Sequence, residues 1–388
     1  MPKNIVILMD GTSNEITADR TNILRLYGTF EKSDKQLVYY EPGVGTFGAV
    51  DAWLRFWRKA HEIWGLATGW GLDSNVKDAY RFLVNNYDNG KRLGQKTGER
   101  DSIFIFGFSR GAYSARVLAG FIHAIGLIEP RNLNLVDYAY RAYKQVGEDG
   151  QKGFAEVRLY ERLLAPDRPP IKLVGLFDTV ASVIEEGPRG IRLRYHAFTK
   201  KNPSVEVVRH ALAINEKRTM FLPLLWPSGE EYTGNPFSRN SSRKQEVKEV
   251  WFCGAHGDVG GGYPESGSQL AKIPLKWMID NTSSLGLKYR TRTVNEIVMG
   301  SNKLKHYVRP SDAVAPHRSM NWAWAILEFL PRRKPEGSRR PSVLGWAIPL
   351  FEGRVLPEGI SIHRSYVDQM GTAFRPPVKL PEKYTVSD

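Results

Sequence analysis

Three side chains stand where a nucleophile, a carboxylate and a base would each be useful. Ser109 lies in Gly107-Phe-Ser-Arg-Gly111, preceded by the apolar run Ile103-Phe-Ile-Phe106 and followed by Ala112-Tyr-Ser-Ala. That context predicts a strand, a sharp turn and a helix. Such a turn forces the serine into a strained backbone conformation, and glycines two residues to either side avoid collisions with it. The bare Gly-x-Ser-x-Gly pattern carries little information, because glycine and serine are common; the strand before and the helix after give it specificity. The alternative is a glycine-rich turn in which Ser109 only caps the helix.

A serine hydroxyl is a poor nucleophile until a base takes its proton, and a histidine base needs a carboxylate to fix its tautomer. Val174-Gly-Leu-Phe-Asp178 ends an apolar run with an acid, which makes Asp178 the preferred orienter. Its competing role is to cap a following helix. Val250-Trp-Phe-Cys-Gly-Ala-His256-Gly-Asp258-Val-Gly-Gly-Gly-Tyr263 places His256 just past another strand-like run, in a glycine-rich stretch that lets backbone approach a substrate. The competing reading is a packed or surface histidine. Asp258 is a second candidate carboxylate, although two residues from His256 is close for the required geometry. His317 and His363 are weaker candidate bases, while His61, His123, His196, His210 and His306 lack strand-end or glycine context and read as structural.

Acyl transfer also needs donors for a developing oxyanion. The backbone N–H of Arg110, next after the nucleophile, is one; the loop Asp10-Gly-Thr-Ser-Asn14 would supply the second from Gly11 or Thr12. Asp10 could hold that loop together or bind a cation, and loop structure is the preferred role. No metal or organic cofactor is expected, and the single cysteine, Cys253, excludes an intrachain disulfide and any cysteine-rich zinc cluster.

These residues need a frame. Short apolar runs at Ile5–Met9, Leu37–Tyr40, Ser102–Phe106, Ile171–Phe177 and Val247–Phe252 resemble strands buried on both faces of a parallel sheet. Helical patterns lie at Asn75–Tyr87, at Ala112–Ile125 and in one long amphipathic stretch at about 133–164. The alternation predicts an α/β fold: a mostly parallel sheet flanked by helices, α/β-hydrolase-like, with inserted loops and a C-terminal cap-like segment. We expect a catalytic core over 1–330, including a polar loop at 226–246, and a basic linker and C-terminal segment over 331–388 packed on that core.

The chain has 388 residues, 41% hydrophobic and 25% charged, with a net charge of +14, so a folded core and anionic partners are both expected. Charge alone names no partner, and no nucleic-acid motif accompanies it. The N-terminus reads as a buried strand and not as a secretory signal, and the apolar stretch 321–330 is too short to span a bilayer. Peripheral contact with an anionic membrane is still open. Trp53, Phe56, Trp57 and Trp64, interleaved with Arg55, Arg58 and Lys59, could form an interfacial surface or a buried aromatic cluster; Trp322 and Trp324 could form a second apolar lip or part of the core.

Taken together, Asp10-Gly-Thr, Tyr40-Glu-Pro-Gly-Val-Gly-Thr46, Gly69-Trp-Gly-Leu-Asp-Ser-Asn75, the Ser109 elbow, Phe177-Asp-Thr-Val180 and His256-Gly-Asp-Val-Gly-Gly-Gly-Tyr263 resemble the α/β-hydrolase domain family that includes the phospholipase effectors of bacterial type VI secretion. The resemblance implies a triad of Ser109, Asp178 and His256 and cleavage of a lipid ester. It also implies either a cytoplasmic protein or delivery to a target cell without a signal peptide. Asn215 stands where related sequences more often carry an acid, and the large C-terminal membrane-associating module of known effectors is not expected in these residues. The expected function is therefore a serine-dependent phospholipase or lipid esterase. The alternatives are an esterase or thioesterase for a soluble substrate, or a non-catalytic basic binding module. Headgroup, acyl position and oligomeric state are not legible.

Overall fold

The computed structural model describes residues 2–11, 20–43, 71–92, 95–96, 98–149, 151–180, 184–187, 190–193, 196–234, 242–302, 306–320, 322–329, 331–334, 338, 340–370 and 378–388. Thr12 and the tryptophan segment at 53–64 lie outside them. Among the described residues the main sheet is built from β1 (Asn4–Met9), β2 (Gln36–Glu41), β3 (Ser102–Phe108), β4 (Ile171–Phe177), β5 (Val205–Ala213), β6 (Glu246–Phe252), β7 (Ile360–His363) and β8 (Tyr384–Ser387). Their spatial order is β2-β1-β3-β4-β5-β6-β7-β8, and every pairing is parallel.

Parallel neighbours need crossover connections, and helices on both faces supply most of them. They are α1 (Asn22–Thr29), α2 (Leu72–Asn86), α3 (Arg110–Ile125), α4 (Val136–Asp149), α5 (Gln151–Leu164), α6 (His256–Gly260), α7 (Gln269–Ser283), α8 (Trp322–Leu327) and α9 (Arg364–Gln369). Strand alternation sorts the core between the faces. Ile5, Ile7, Met9, Ile103 and Ile105 pack with α2, α3 and α4. Val6, Leu8, Phe104 and Phe106 face the other way and pack with α1 and α7. A third cluster, including Trp251, Leu270, Ile362 and Tyr366, covers the far edge. The result is the expected α/β architecture, with apolar runs buried on both faces.

Two expectations about elements need correction. The stretch 133–164 is two helices, because Gly147-Glu-Asp-Gly150 places two of the poorest helix formers in its middle. β5 was not expected at all. Glu206, Arg209 and His210 interrupt its apolar pattern, and each is matched from a neighbouring strand: Glu206 by Lys172 at 2.8 Å, Arg209 by Glu246, and His210 Nδ1 by Glu249 at 2.7 Å. The stretch 331–388 supplies β7 and β8, which extend the sheet at its edge.

Strand order reverses between β1 and β3, since β2 lies on one side of β1 and all later strands lie on the other. A crevice for ligands is expected at the carboxyl ends of the strands near such a reversal. Asp10 follows β1, Ser109 follows β3, Asp178 follows β4 and His256 follows β6 by four residues, so all four sit at that end of the sheet.

Packing between strands leaves little slack at Gly175 of β4, where an added Cβ would fall 2.4 Å from Cδ1 of the fully buried Phe106. Gly175→Ala should lower unfolding stability by about 1–3 kcal/mol, the usual cost of overpacking a core. The measurement is the urea midpoint of purified protein; an unchanged midpoint would mean that β3 and β4 pack more loosely than described.

Candidate active site

The turn after β3 is built by close approach. A Cβ on Gly107 would lie 2.4 Å from the Gly111 carbonyl oxygen, and one on Gly111 would lie 2.2 Å from that of Met9. Only glycine lets the start of α3 sit against the end of β1. Between these glycines Ser109 has φ 58° and ψ −122°, a conformation that costs a non-glycine residue about 1–3 kcal/mol and that the surrounding packing must impose. Ser109 is the N-cap of α3, yet its side chain makes no capping hydrogen bond. The hydroxyl turns to His256 instead.

Ser109 Oγ lies 2.8 Å from His256 Nε2, and His256 Nδ1 lies 2.5 Å from Asp178 Oδ2. The carboxylate selects the tautomer with the proton on Nδ1, which leaves Nε2 to accept from the serine hydroxyl. Asp178 is fully buried and also has a positive φ, 42°. Its Oδ1 accepts from the Ala213 backbone N–H at 3.0 Å, and both its oxygens are met by Arg354, at 2.5 Å from Nη1 and 2.9 Å from Nη2. Burial opposes ionisation of Asp178, but Arg354 and His256 outweigh it and hold the carboxyl well below the ordinary range. Burial likewise pushes the His256 imidazole below its ordinary value, and the Asp178 hydrogen bond only partly offsets this.

His256 opens the single turn of α6, not an irregular glycine loop. Ala255 is the N-cap of that turn, and Asp258 Oδ2 accepts from the Ala255 N–H at 2.9 Å. Phe108 and Phe221 flank the imidazole, with ring centroids 4.7 Å and 4.9 Å away. The His256 backbone N–H donates to Glu216 Oε2 at 3.2 Å, and Glu216 is held by a two-pronged pair with Arg218 and by Ser319 Oγ at 2.9 Å. Burial would raise the Glu216 carboxyl, yet Arg218 brings it down to about 2.

The other candidates have different places. Asp258 does not meet the His256 ring; its Oδ1 takes His317 Nδ1 at 2.6 Å and its Oδ2 takes the His317 N–H at 2.9 Å. His317 stacks on Tyr263 at 3.9 Å, so this aspartate and histidine pair with each other beside the site. His363 caps α9, bonding Ser365, and stacks on Phe252 at 4.5 Å. Asp10 organises its own loop: Oδ1 accepts from Gly11 N–H at 2.7 Å, and Oδ2 accepts from Thr21 Oγ1 at 2.5 Å and Tyr40 OH at 2.8 Å. The Gly11 N–H expected at an oxyanion is thus turned onto Asp10. Arg110 is the first residue of α3, with its N–H at the positive end of the helix dipole.

Sequence reasoning missed Arg354, Glu216 and Phe221. Glu216 follows the end of β5 and would have stood out had that strand been read. Arg354 had no local signal, because its partner lies 176 residues away. A surface cleft lined by Lys91, Arg100, Glu161, Asp167 and Arg168, among others, holds none of the residues around Ser109. Its Arg100–Asp167 and Arg168–Glu161 pairs, at 2.8 Å and 3.3 Å, read as a solvated ionic surface.

The chain belongs to the family described as the type VI secretion (T6SS) phospholipase effector Tle1-like catalytic domain, which matches residues 3–281. The uncharacterized protein YEL023C of Saccharomyces cerevisiae is 32% identical over 237 residues, covering 57% of this chain and 32% of the yeast protein; the chain thus spans about a third of that relative. Two solved structures are similar at low scores. One is an uncharacterized protein from Pseudomonas aeruginosa, with a TM-score of 0.39 and 21% identity over 74% of this chain and 46% of that one. The other is the Tle1 effector bound to the VgrG spike of the type 6 secretion system, with a TM-score of 0.40 and 14% identity over 100% of this chain and 94% of that one.

The Asp258–His317 pair has a testable sign. The hydrogen bond to Asp258 raises the His317 pKa above its ordinary value, against a smaller opposing effect of burial. Its contribution to stability is therefore fully present below about pH 6.5 and is lost as pH rises through the raised folded value. His317→Ala should lower the melting temperature more at pH 5.5 than at pH 9. An equal loss at both pH values would show that the ring acts only by stacking on Tyr263.

Proposed function

We propose that this chain is a serine-dependent carboxylic ester hydrolase acting on acyl esters of phospholipids, with Ser109 as nucleophile, His256 as base and Asp178 as orienter. The observation that carries the reading is the hydrogen-bonded chain from Ser109 Oγ through His256 to Asp178, ending on a serine held at φ 58°. His256 Nε2 takes the hydroxyl proton as Oγ attacks the ester carbonyl carbon. The negative charge that develops on the carbonyl oxygen meets the Arg110 N–H at the start of α3. The imidazolium, stabilised by Asp178, then gives its proton to the departing alcohol; water repeats the sequence on the acyl-enzyme and regenerates Ser109.

A phospholipid substrate is supported by the family and by an apolar surface beside the site. Trp324 packs on Phe221 at 5.4 Å, and Phe221 packs on His256. On the same helix and the segments that follow, Trp322, Ile326, Phe329, Val343, Leu344 and Trp346 are exposed. Large exposed apolar side chains on the helix that carries Trp324, and on the segments that follow it, suit the edge of a bilayer, which is where we place membrane contact. No described helix is long and apolar enough to cross a membrane. Delivery by a type VI system belongs to the same proposal and rests on the family alone.

Ser109→Ala should abolish release of fatty acid from phospholipid vesicles, with a loss of roughly 10⁶-fold as in other serine triads, while circular dichroism stays unchanged. Product identity by mass spectrometry separates the readings. Fatty acid with lysophospholipid supports the proposal; cleavage of soluble esters or thioesters alone would move the substrate class; activity surviving in Ser109→Ala would remove the nucleophile.

The pH profile follows from His256. Because burial lowers its pKa below the ordinary 6.5, the neutral base persists into mild acid, and kcat/KM on a soluble ester should fall only below about pH 6.5. An acid limb centred above pH 7 would contradict the environment described for His256.

A further inference from the structure

We propose that Arg354 is a positioning residue for this hydrolysis: its guanidinium fixes the plane of the Asp178 carboxylate so that Oδ2 faces His256 Nδ1. The proposal rests on the serine-hydrolase reading above. Arg354 lies beyond residue 281, where the family match ends, so the active site draws on a chain segment outside the matched catalytic domain.

The geometry is that of a clamp. Two N–H groups of a planar fork meet two oxygens of a planar carboxylate, an arrangement that restricts rotation about the aspartate side chain where a single hydrogen bond would not. The fork is itself fixed, since Nη1 also donates to the Ala213 carbonyl at 2.7 Å and Nη2 to the Phe221 carbonyl at 2.6 Å. Arg354 therefore ties the end of β4 to the end of β5 and to the turn that brings Phe221 against the imidazole. Asp178 Oδ1 is occupied by Ala213 N–H and Nη1, while Oδ2 is held by Nη2 and faces His256 Nδ1.

The clamp has an electrostatic consequence. Asp178 is fully buried, and without the guanidinium its charge would be shared only with His256. The positive charge of Arg354 sits one carboxylate oxygen from the imidazole and disfavours a second positive charge there. The other charged groups around His256 are Glu216 beneath its backbone and Arg218 over Phe221, and these two already pair with each other. Removing the Arg354 charge leaves Asp178 uncompensated, so the imidazolium becomes easier to form and the acid limb of activity moves to higher pH.

The test uses the full chain with Arg354→Met and Arg354→Lys, a soluble p-nitrophenyl ester, and fluorophosphonate titration to count competent sites. Arg354→Met should lower kcat per titrated site by about 10–100-fold, the order of loss known when the partner that orients a functional side chain is removed, with KM within about threefold of the parent. Its acid limb should rise. Arg354→Lys restores the charge without the fork, so the limb should return toward the parent while kcat recovers only in part. Met with parental kcat per site, or Met and Lys with equal losses and an unmoved limb, would overturn the proposal. If the Met protein does not fold, Lys decides: reduced kcat per site with the parental limb supports the clamp, and parental kcat refutes it. Ser109→Ala in parallel keeps the two claims apart, because activity there defeats the hydrolase reading itself. Silence there, with Arg354 variants unaffected, defeats only the clamp.

Discussion

A carboxylate removed from water must find its charge and its lone pairs answered, or it takes up a proton. Asp178 is fully buried and is answered from three parts of the chain: the Ala213 N–H at the end of β5, His256 in the turn after β6, and Arg354 shortly before β7. Each contact requires the strand order that sets β4, β5 and β6 side by side in parallel. Removing one partner of such a buried pair commonly costs about 3–5 kcal/mol, so the sheet and the site are not independently adjustable. The fold and the proposed chemistry share this constraint.

The second constraint is steric. Ser109 reaches His256 only because α3 starts hard against the end of β1, and two glycines make that approach possible. Gly260 plays the same part on the histidine side, where a Cβ would fall 1.8 Å from the Phe108 ring. Bulk at any of these positions would separate strand ends that have to be neighbours. Ser109 and Asp178 both have a positive φ, so some of the chain's backbone strain sits at the carboxyl edge of the sheet, where packing over-determines the backbone.

Much of this was legible because burial writes itself into parallel strands as unbroken apolar runs. β1, β3, β4 and β6 announce themselves in that way, and residues at their carboxyl ends could be singled out for chemistry without knowledge of the fold. β5 hid because its charged residues are paired across the sheet, and β7 and β8 hid because four residues each carry too little pattern. Arg354 was unreadable for a different reason. Nothing near it distinguishes a buried arginine from the exposed ones that give this chain its net charge of +14. Asp258 and His317 illustrate the converse: residue types suited to catalysis, close in space to the site, that pair with each other and leave the His256 ring to Asp178.

The central claim, that Ser109 is a nucleophile activated through His256, is tested most directly by covalent labelling and peptide mapping. Treated with a fluorophosphonate, the parent protein should carry one adduct on the peptide containing Ser109, and His256→Ala should remain unlabelled on the same timescale. An adduct on another residue, or equal labelling of Ser109 in His256→Ala, would contradict the account.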